Sequence, residues 1–193
     1  NEMIISETNE MNAAKFLLDI RKNNELFYSL SFETISAIGE HSALPHYRVT
    51  NKSNSLFKKN TIYLVDSGAQ YFDGTTDITR TVIIGKATKE QKDRFTRVLK
   101  GHIAIATTSF NINSKGSALD SLARKSLQEI GCDYDHGTGH GIGSFLSVHE
   151  GPQRIAKPQG LSDGIIKEGM ILSNEPGYYK KNEYGIRTEN LVI

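Results

Sequence analysis

TIYLVDSGAQYFDGTTDITRTVII, residues 61–84, reads as two strands folded back on each other. TIYLVDSG is rich in β-branched and aromatic residues, Asp73-Gly74 is a turn signal, and TDITRTVII resumes the strand pattern, so the segment is a β-hairpin. Alternation in TDITRTV puts Asp77, Thr79 and Thr81 on one face and Ile78, Arg80 and Val82 on the other. A connection centred on Tyr71 and Phe72 would set Asp66 directly across from Asp77, whereas one centred on Asp73-Gly74 would pair Asp77 with Gln70. In the first register two carboxylates face each other across the ladder and repel, and a cation between them removes the penalty.

Outward from the hairpin, helical patterns appear on both sides. Met11, Ala14, Leu17 and Leu18 recur at helical spacing from about Ser6 to Arg21 and predict an amphipathic helix. Residues Glu33 to Val49 read as an irregular connection rich in small residues. After the hairpin, Thr88 and Gln91 form a capping box opening a helix with the stripe Phe95, Val98, Leu99 and Ala106. Ser117 with Asp120 opens another, with Leu119, Leu122, Ala123, Leu127 and Ile130 inward and Gly131 ending it. HGTGHGIG, MILSNEP and YGIRTENLVI follow as short extended pieces. Helices among antiparallel strands make an α+β domain, and 193 residues suffice for one core, so residues 1–193 read as a single domain.

Bulk properties exclude several classes. Lys plus Arg (23) balances Asp plus Glu (22), which argues against a nucleic-acid face. The single cysteine, Cys132, has no partner for an internal disulfide and favours a reducing compartment. NEMIISETNE lacks both a basic n-region and an apolar h-region, and no stretch approaches membrane-spanning length, so a cytoplasmic location is the default expectation.

Chemistry concentrates in five candidate metal ligands: Asp66, Asp77, His140, Glu175 and Glu189. Four carboxylates and one imidazole form a hard, oxygen-rich set that suits one or two divalent cations such as Mn²⁺, with Zn²⁺ or Co²⁺ as alternatives. Arg187 and Glu189 share a strand face, so a fixed cation would stand beside a ligand or a substrate carboxylate. Competing motifs fail on detail. His136 and His140 are four apart, but no Glu follows His136 and the glycines around them argue against the helix of a zincin. Those glycines miss the dinucleotide-loop spacing, and Ser144 lacks a nucleophile elbow. Asp73, Glu90, Glu129, Glu183 and His41 read as surface groups, and the Tyr178-Tyr179 pair divides evenly between core packing and site lining.

The ordered set LVDSGAQYFDGTTDITRT, HGTGHGIGSFLSVHEGP, SNEPGYY and GIRTENLV resembles the metallopeptidases with the pita-bread fold (creatinase and methionine aminopeptidase-like). Within them it is most similar to the Xaa-Pro aminopeptidases, over about Leu30 to Val192. Two extra residues around Ser144 and Phe145 resemble the longer, three-domain form of that enzyme.

The resemblance implies a curved antiparallel sheet with flanking helices, incomplete at both ends here, and a catalytic domain that is a fragment of a longer enzyme. It implies two metal ions, with Asp66 chelating one, Asp77 and Glu189 bridging, and His140 and Glu175 completing the second. Glu175 would be the general base of an attacking water, His149 would stabilise the oxyanion or position the tetrahedral intermediate, His46 would join them as a catalytic residue, and His46, His136, His149, Tyr179 and Arg187 would line the substrate region. The implied partners are peptides with proline in second position and, in the full-length enzyme, a second copy as a homodimer. An Xaa-Pro dipeptidase on the same fold is the alternative, and a binding module without catalysis is the other.

Overall fold

The computed structural model describes residues 7–111, 113–146, 148–158 and 164–193. The N-terminal helix α1 is Glu10–Lys22, capped by Asn9, whose side chain accepts the Asn12 N–H at 2.8 Å. The expected start near Ser6 lies outside the described residues. The buried face is also not the expected stripe: Met11 is exposed, while Ala13 and Glu10 are buried. Glu10 rotates the helix. Its carboxylate accepts the Ile38 and Ser55 N–H groups, the Tyr47 hydroxyl and His41 Nδ1. His41, expected at the surface, instead stacks on Tyr47 with ring centroids 4.4 Å apart.

Strands β1 (Phe27–Leu30) and β2 (Ile35–Ile38) follow, then a 3-10 turn, Gly39–Ala43. The segment expected to be an irregular connection therefore holds a strand. All four residues of ISAI are buried, so the alternation that marks a half-exposed strand is absent. The hairpin is β3 (Thr61–Ser67), β4 (Ala69–Tyr71), β5 (Gly74–Thr75) and β6 (Ile78–Ile84). The antiparallel order β2-β3-β6 continues into β1-β4-β5.

The hairpin register differs from both expected pairings. Tyr71 pairs with Gly74 and Gln70 with Thr75, so the turn is Phe72-Asp73, and Asp66 lies across from Thr79. Asp77 is a diagonal neighbour of Asp66 on the same face, two positions along. At Gly68, which breaks the strand, a side-chain carbon would come within 2.0 Å of the Thr76 carbonyl oxygen, so only glycine permits the close approach. The expected alternation holds: Asp77, Thr79 and Thr81 are buried, and Arg80 and Val82 are exposed.

Helix α2, Lys89–Thr107, opens with the expected Thr88/Gln91 capping box. It buries Val98, Gly101 and Ile105, and Ala106 faces water. Helix α3, Gly116–Gln128, begins before the expected Ser117 cap, and Asp120 is turned into the protein. Gly131, at φ +70°, ends it as expected. Short antiparallel pairs complete the chain: β7 (Gly139–His140) with β8 (Arg154–Ile155), β9 (Leu172–Asn174) with β12 (Asn190–Val192), and β10 (Gly177–Lys180) with β11 (Tyr184–Arg187). Ile62, Val98, Leu127, Tyr134, Tyr178, Tyr184 and Ile186 form a core cluster where α2 and α3 meet these strands. The Glu189 N–H donates to the Thr79 carbonyl at 3.2 Å, which fastens the C-terminal strands to β6.

Candidate metal centre

Five strand ends converge on one cavity of about 450 Å³. Asp66 comes from the end of β3, Asp77 from the step before β6, and His140 from the end of β7. Glu175 follows β9, and Glu189 lies between β11 and β12. All five line the cavity, with His46, His136, His149 and Arg187. Donor atoms of Asp77, His140 and Glu189 lie within 4.8 Å of one another. His140 Nε2 stands 3.4 Å from Asp77 Oδ2 and 3.3 Å from Glu175 Oε1.

Around these side chains sits a shell of fixed hydrogen bonds. Thr79 donates its hydroxyl to Glu189 Oε2 at 2.6 Å and accepts Arg187 Nε at 3.2 Å. Arg187 also donates to Asp66 Oδ2 at 2.7 Å, to the Tyr179 hydroxyl at 2.8 Å and to the Pro45 carbonyl at 3.3 Å. Ser173 accepts the His140 N–H at 3.0 Å and donates to Glu175 Oε1 at 3.2 Å. Tyr179 reaches the site from one layer back, bonding His136 Nε2 at 2.8 Å as well as Arg187. His149 packs its ring edge-on against His140, centroids 4.1 Å apart, and His46 stands exposed at the cavity wall.

Electrostatics mark the cluster as short of positive charge. Burial pushes the Glu175 carboxyl up to about 7, with Asp66 and Asp77 adding to the rise and His140 and Arg187 opposing it. Burial, then the other carboxylates, also raises Glu189 well above the ordinary range. Asp66 is raised by burial and by Asp77 despite its pairing with Arg187. Burial alone would lower His140, but Asp77 and Glu175 outweigh it and hold the imidazole above its usual value. His149 is lowered, by burial and then by His140, and burial lowers His136 to about 4.

The residues fit divalent metal. Asp66 Oδ1 is buried without a hydrogen-bond partner. His140 Nδ1 donates to the Gly141 carbonyl at 2.9 Å, which leaves the Nε2 lone pair aimed at two carboxylates. Only a proton or a cation makes that arrangement favourable. A hydrogen-bonded imidazole, oxygen donors and a partnerless carboxylate oxygen are what a hard dication takes.

Thr79 and Ser173 support the candidate ligands and are not marked as site residues by any motif. Thr79 was within reach, because alternation already placed it on the Asp77 face. Ser173, two residues before Glu175 in a buried strand, carried no comparable signal.

Antiparallel sheets that present four carboxylates and an imidazole in one cavity define a candidate centre for divalent metal. The chain belongs to metallopeptidase family M24, whose profile matches residues 2–193, and its fold is the pita-bread fold. A probable Xaa-Pro aminopeptidase P of Coprinopsis cinerea is 49% identical over 187 residues, 97% of this chain and 30% of that protein. Among solved structures, the X-prolyl aminopeptidase of Caenorhabditis elegans, described as a cytosolic enzyme with a di-nuclear active site, superposes with a TM-score of 0.89. It is 43% identical, over 96% of this chain and 30% of that one. The prolidase of Pyrococcus furiosus superposes at 0.87 with 30% identity, over 98% of this chain and 54% of that one. The chain thus spans about 30% of the length of the curated relatives it matches. Among the described residues, no helix is long and apolar enough to cross a membrane.

Proposed function

We propose that this chain carries the catalytic centre of an Xaa-Pro aminopeptidase, hydrolysing the bond between the first residue of a peptide and a proline in second position. The observation that carries this reading is the convergence of Asp66, Asp77, His140, Glu175 and Glu189 on one cavity in which Asp66 Oδ1 has no partner. Asp66, Asp77, His140, Glu175 and Glu189 would hold two divalent ions. Mn²⁺ is our choice for an oxygen-rich set, ahead of Zn²⁺ and Co²⁺. When bound, the ions would supply Lewis acidity, bring a water in their shell toward a pKa of ~7, and keep Glu175 as the carboxylate a base requires.

Hydrolysis joins a water oxygen to the scissile carbonyl carbon, breaks the bond to the proline nitrogen and delivers a proton to that nitrogen. Glu175, which lies 3.3 Å from His140, would take the proton from water and pass it on. His149 would donate an N–H to the developing oxyanion. Proline offers no N–H to a binding site, so shape and apolar contact must select it. Phe32, Ile35, Pro45 and Val148 line the same cavity as His46 and His136 and suit a pyrrolidine ring. Arg187 would hold Asp66 in place by its ion pair and support the site through Tyr179.

The likeness to prolidases supports one second reading, cleavage of Xaa-Pro dipeptides. A metal-reconstituted assay on Xaa-Pro dipeptides, tripeptides and longer peptides tests both. Turnover of tripeptides and longer peptides is expected, and turnover confined to dipeptides would replace our reading with the second. For the compartment we propose the cytosol, on the single free thiol Cys132 and the description of the nematode relative.

A further inference from the structure

Helix α3 carries two charged side chains on its buried face, four residues apart: Asp120 and Arg124, each 2% exposed. Burying an ion pair is favourable only when the remaining donors and lone pairs are also satisfied. Here one short segment supplies nearly all of the partners. Arg124 Nε donates to Asp120 Oδ2 at 2.7 Å. Its Nη1 donates to Asp133 Oδ1 at 2.8 Å and to the Tyr134 carbonyl at 2.5 Å, and Nη2 to the His136 carbonyl at 2.8 Å. The guanidinium carbon lies 3.9 Å over the Tyr134 ring centre. The second oxygen of Asp120 accepts the Thr138 hydroxyl at 2.6 Å, and the Tyr134 hydroxyl donates to Thr138 at 2.5 Å.

This segment leads directly into the site. Thr138 stands two residues before His140, and its carbonyl accepts the Glu175 N–H at 2.7 Å. The carbonyls of Tyr134 and His136, which precede the two-residue strand β7, are held by Arg124. A donor set must be kept within about half an ångström to serve a metal site, and supporting hydrogen bonds do this work.

We propose that Asp120 and Arg124 are a positioning pair that sets His140 against Glu175 through Thr138, an inference that rests on the metal-centre reading above. The pair touches neither substrate nor ion. It acts by fixing the backbone of residues 134–138 from the helix side, where the carbonyl of Thr138 then fixes Glu175.

The test titrates Co²⁺ alone into the 193-residue chain, reading affinity and the visible absorption that reports ligand geometry, beside the melting temperature. Thr138→Val is nearly isosteric and removes the hydroxyl that donates to Asp120 and accepts from Tyr134. It is expected to weaken Co²⁺ binding roughly tenfold or more and to shift the absorption bands, as loss of an outer-shell partner does. Thr138→Ser should restore both. Arg124→Lys keeps the charge without the fork and should resemble Thr138→Val. Ile84→Ala, at the opposite end of β6 from Thr79, should lower the melting temperature and leave Co²⁺ affinity and spectrum unchanged. Co²⁺ binding by Thr138→Val that matches the unaltered chain would overturn the positioning role and leave the metal centre standing. So would a loss that Thr138→Ser shares, or that Ile84→Ala reproduces. No Co²⁺ binding by the unaltered chain would overturn the metal centre and the pair together.

Discussion

Thr79 shows how one hydroxyl ties charge to geometry. It donates to Glu189 and accepts from Arg187, so one side chain fixes the separation of a carboxylate and a guanidinium. Thr79→Val removes both bonds at nearly constant volume. Metal affinity, measured by equilibrium dialysis, should fall by about ten- to a hundredfold, the usual effect of losing a partner behind a ligand. His149 has the opposite character, since it packs on His140 yet is not one of the five proposed donors. His149→Ala should therefore lower kcat by about a hundredfold or more while metal content stays near that of the unaltered protein. Stoichiometric loss of metal in that variant would show that His149 is a ligand and that the roles are misassigned.

Among the elements, β7 and β9 meet at a close junction behind the site. A side-chain carbon on Gly139 would lie 2.0 Å from the Ser173 carbonyl oxygen, a backbone atom that cannot rotate away. Gly139→Ala should cost about 1–3 kcal/mol of stability, the range for overpacking. It should also weaken metal binding, because Ser173 supports His140 and Glu175 on either side of that junction. Denaturant unfolding and metal titration of the same variant check both parts. At the other end of the molecule, Glu10 ties α1 to β2 and to the Tyr47 segment. Glu10→Ala takes the acceptor from two backbone N–H groups and from His41 Nδ1, while the Tyr47 hydroxyl keeps Ser53. At about 1–3 kcal/mol for each buried group left unpaired, a loss of at least ~3 kcal/mol in urea unfolding is expected. A loss below ~1 kcal/mol would show that water replaces the carboxylate.

Across the whole molecule, the carboxylate cluster links stability to pH and to metal. Glu175 has an ordinary value of 4.5 and stands near 7 in the folded chain, so the metal-free folded form keeps a proton that the unfolded form gives up between those values. Its contribution to stability is complete below about 4.5 and is lost as pH rises through about 7. Asp66 and Glu189, raised from the same cause, act in the same direction. His136 and His149, held low by burial, push the other way up to their ordinary 6.5 in either form. The readout is therefore the gap between melting temperatures with excess Mn²⁺ and with chelator. It should widen from pH about 5 to about 8, and metal uptake near pH 6 should release protons. A gap that is constant across this range would remove the case for a metal-compensated cluster.

What could be read along the chain was whatever is encoded within a few residues. The capping box at Thr88, the helix stop at Gly131 and the alternation of TDITRTV are local, because caps and periodicity act over one or two turns. The five candidate donors were legible too, since each sits in its own short motif. The turn at Phe72-Asp73 escaped, because Gly68 and the step at Asp77 break both strands and two neighbouring centres had equal local support. Tertiary structure alone decided that Glu10 and His41 form an inner network, that Asp120 and Arg124 turn inward, and that Arg187 neutralises Asp66. Glu10 and Arg187 take partners far off in sequence, since His41 is 31 residues from Glu10 and Asp66 is 121 from Arg187, while Asp120 and Arg124 need the segment after their helix to fold back against it. A charged side chain reads as a surface group until the fold supplies its partner, and burial is then favourable only because that partner is in place.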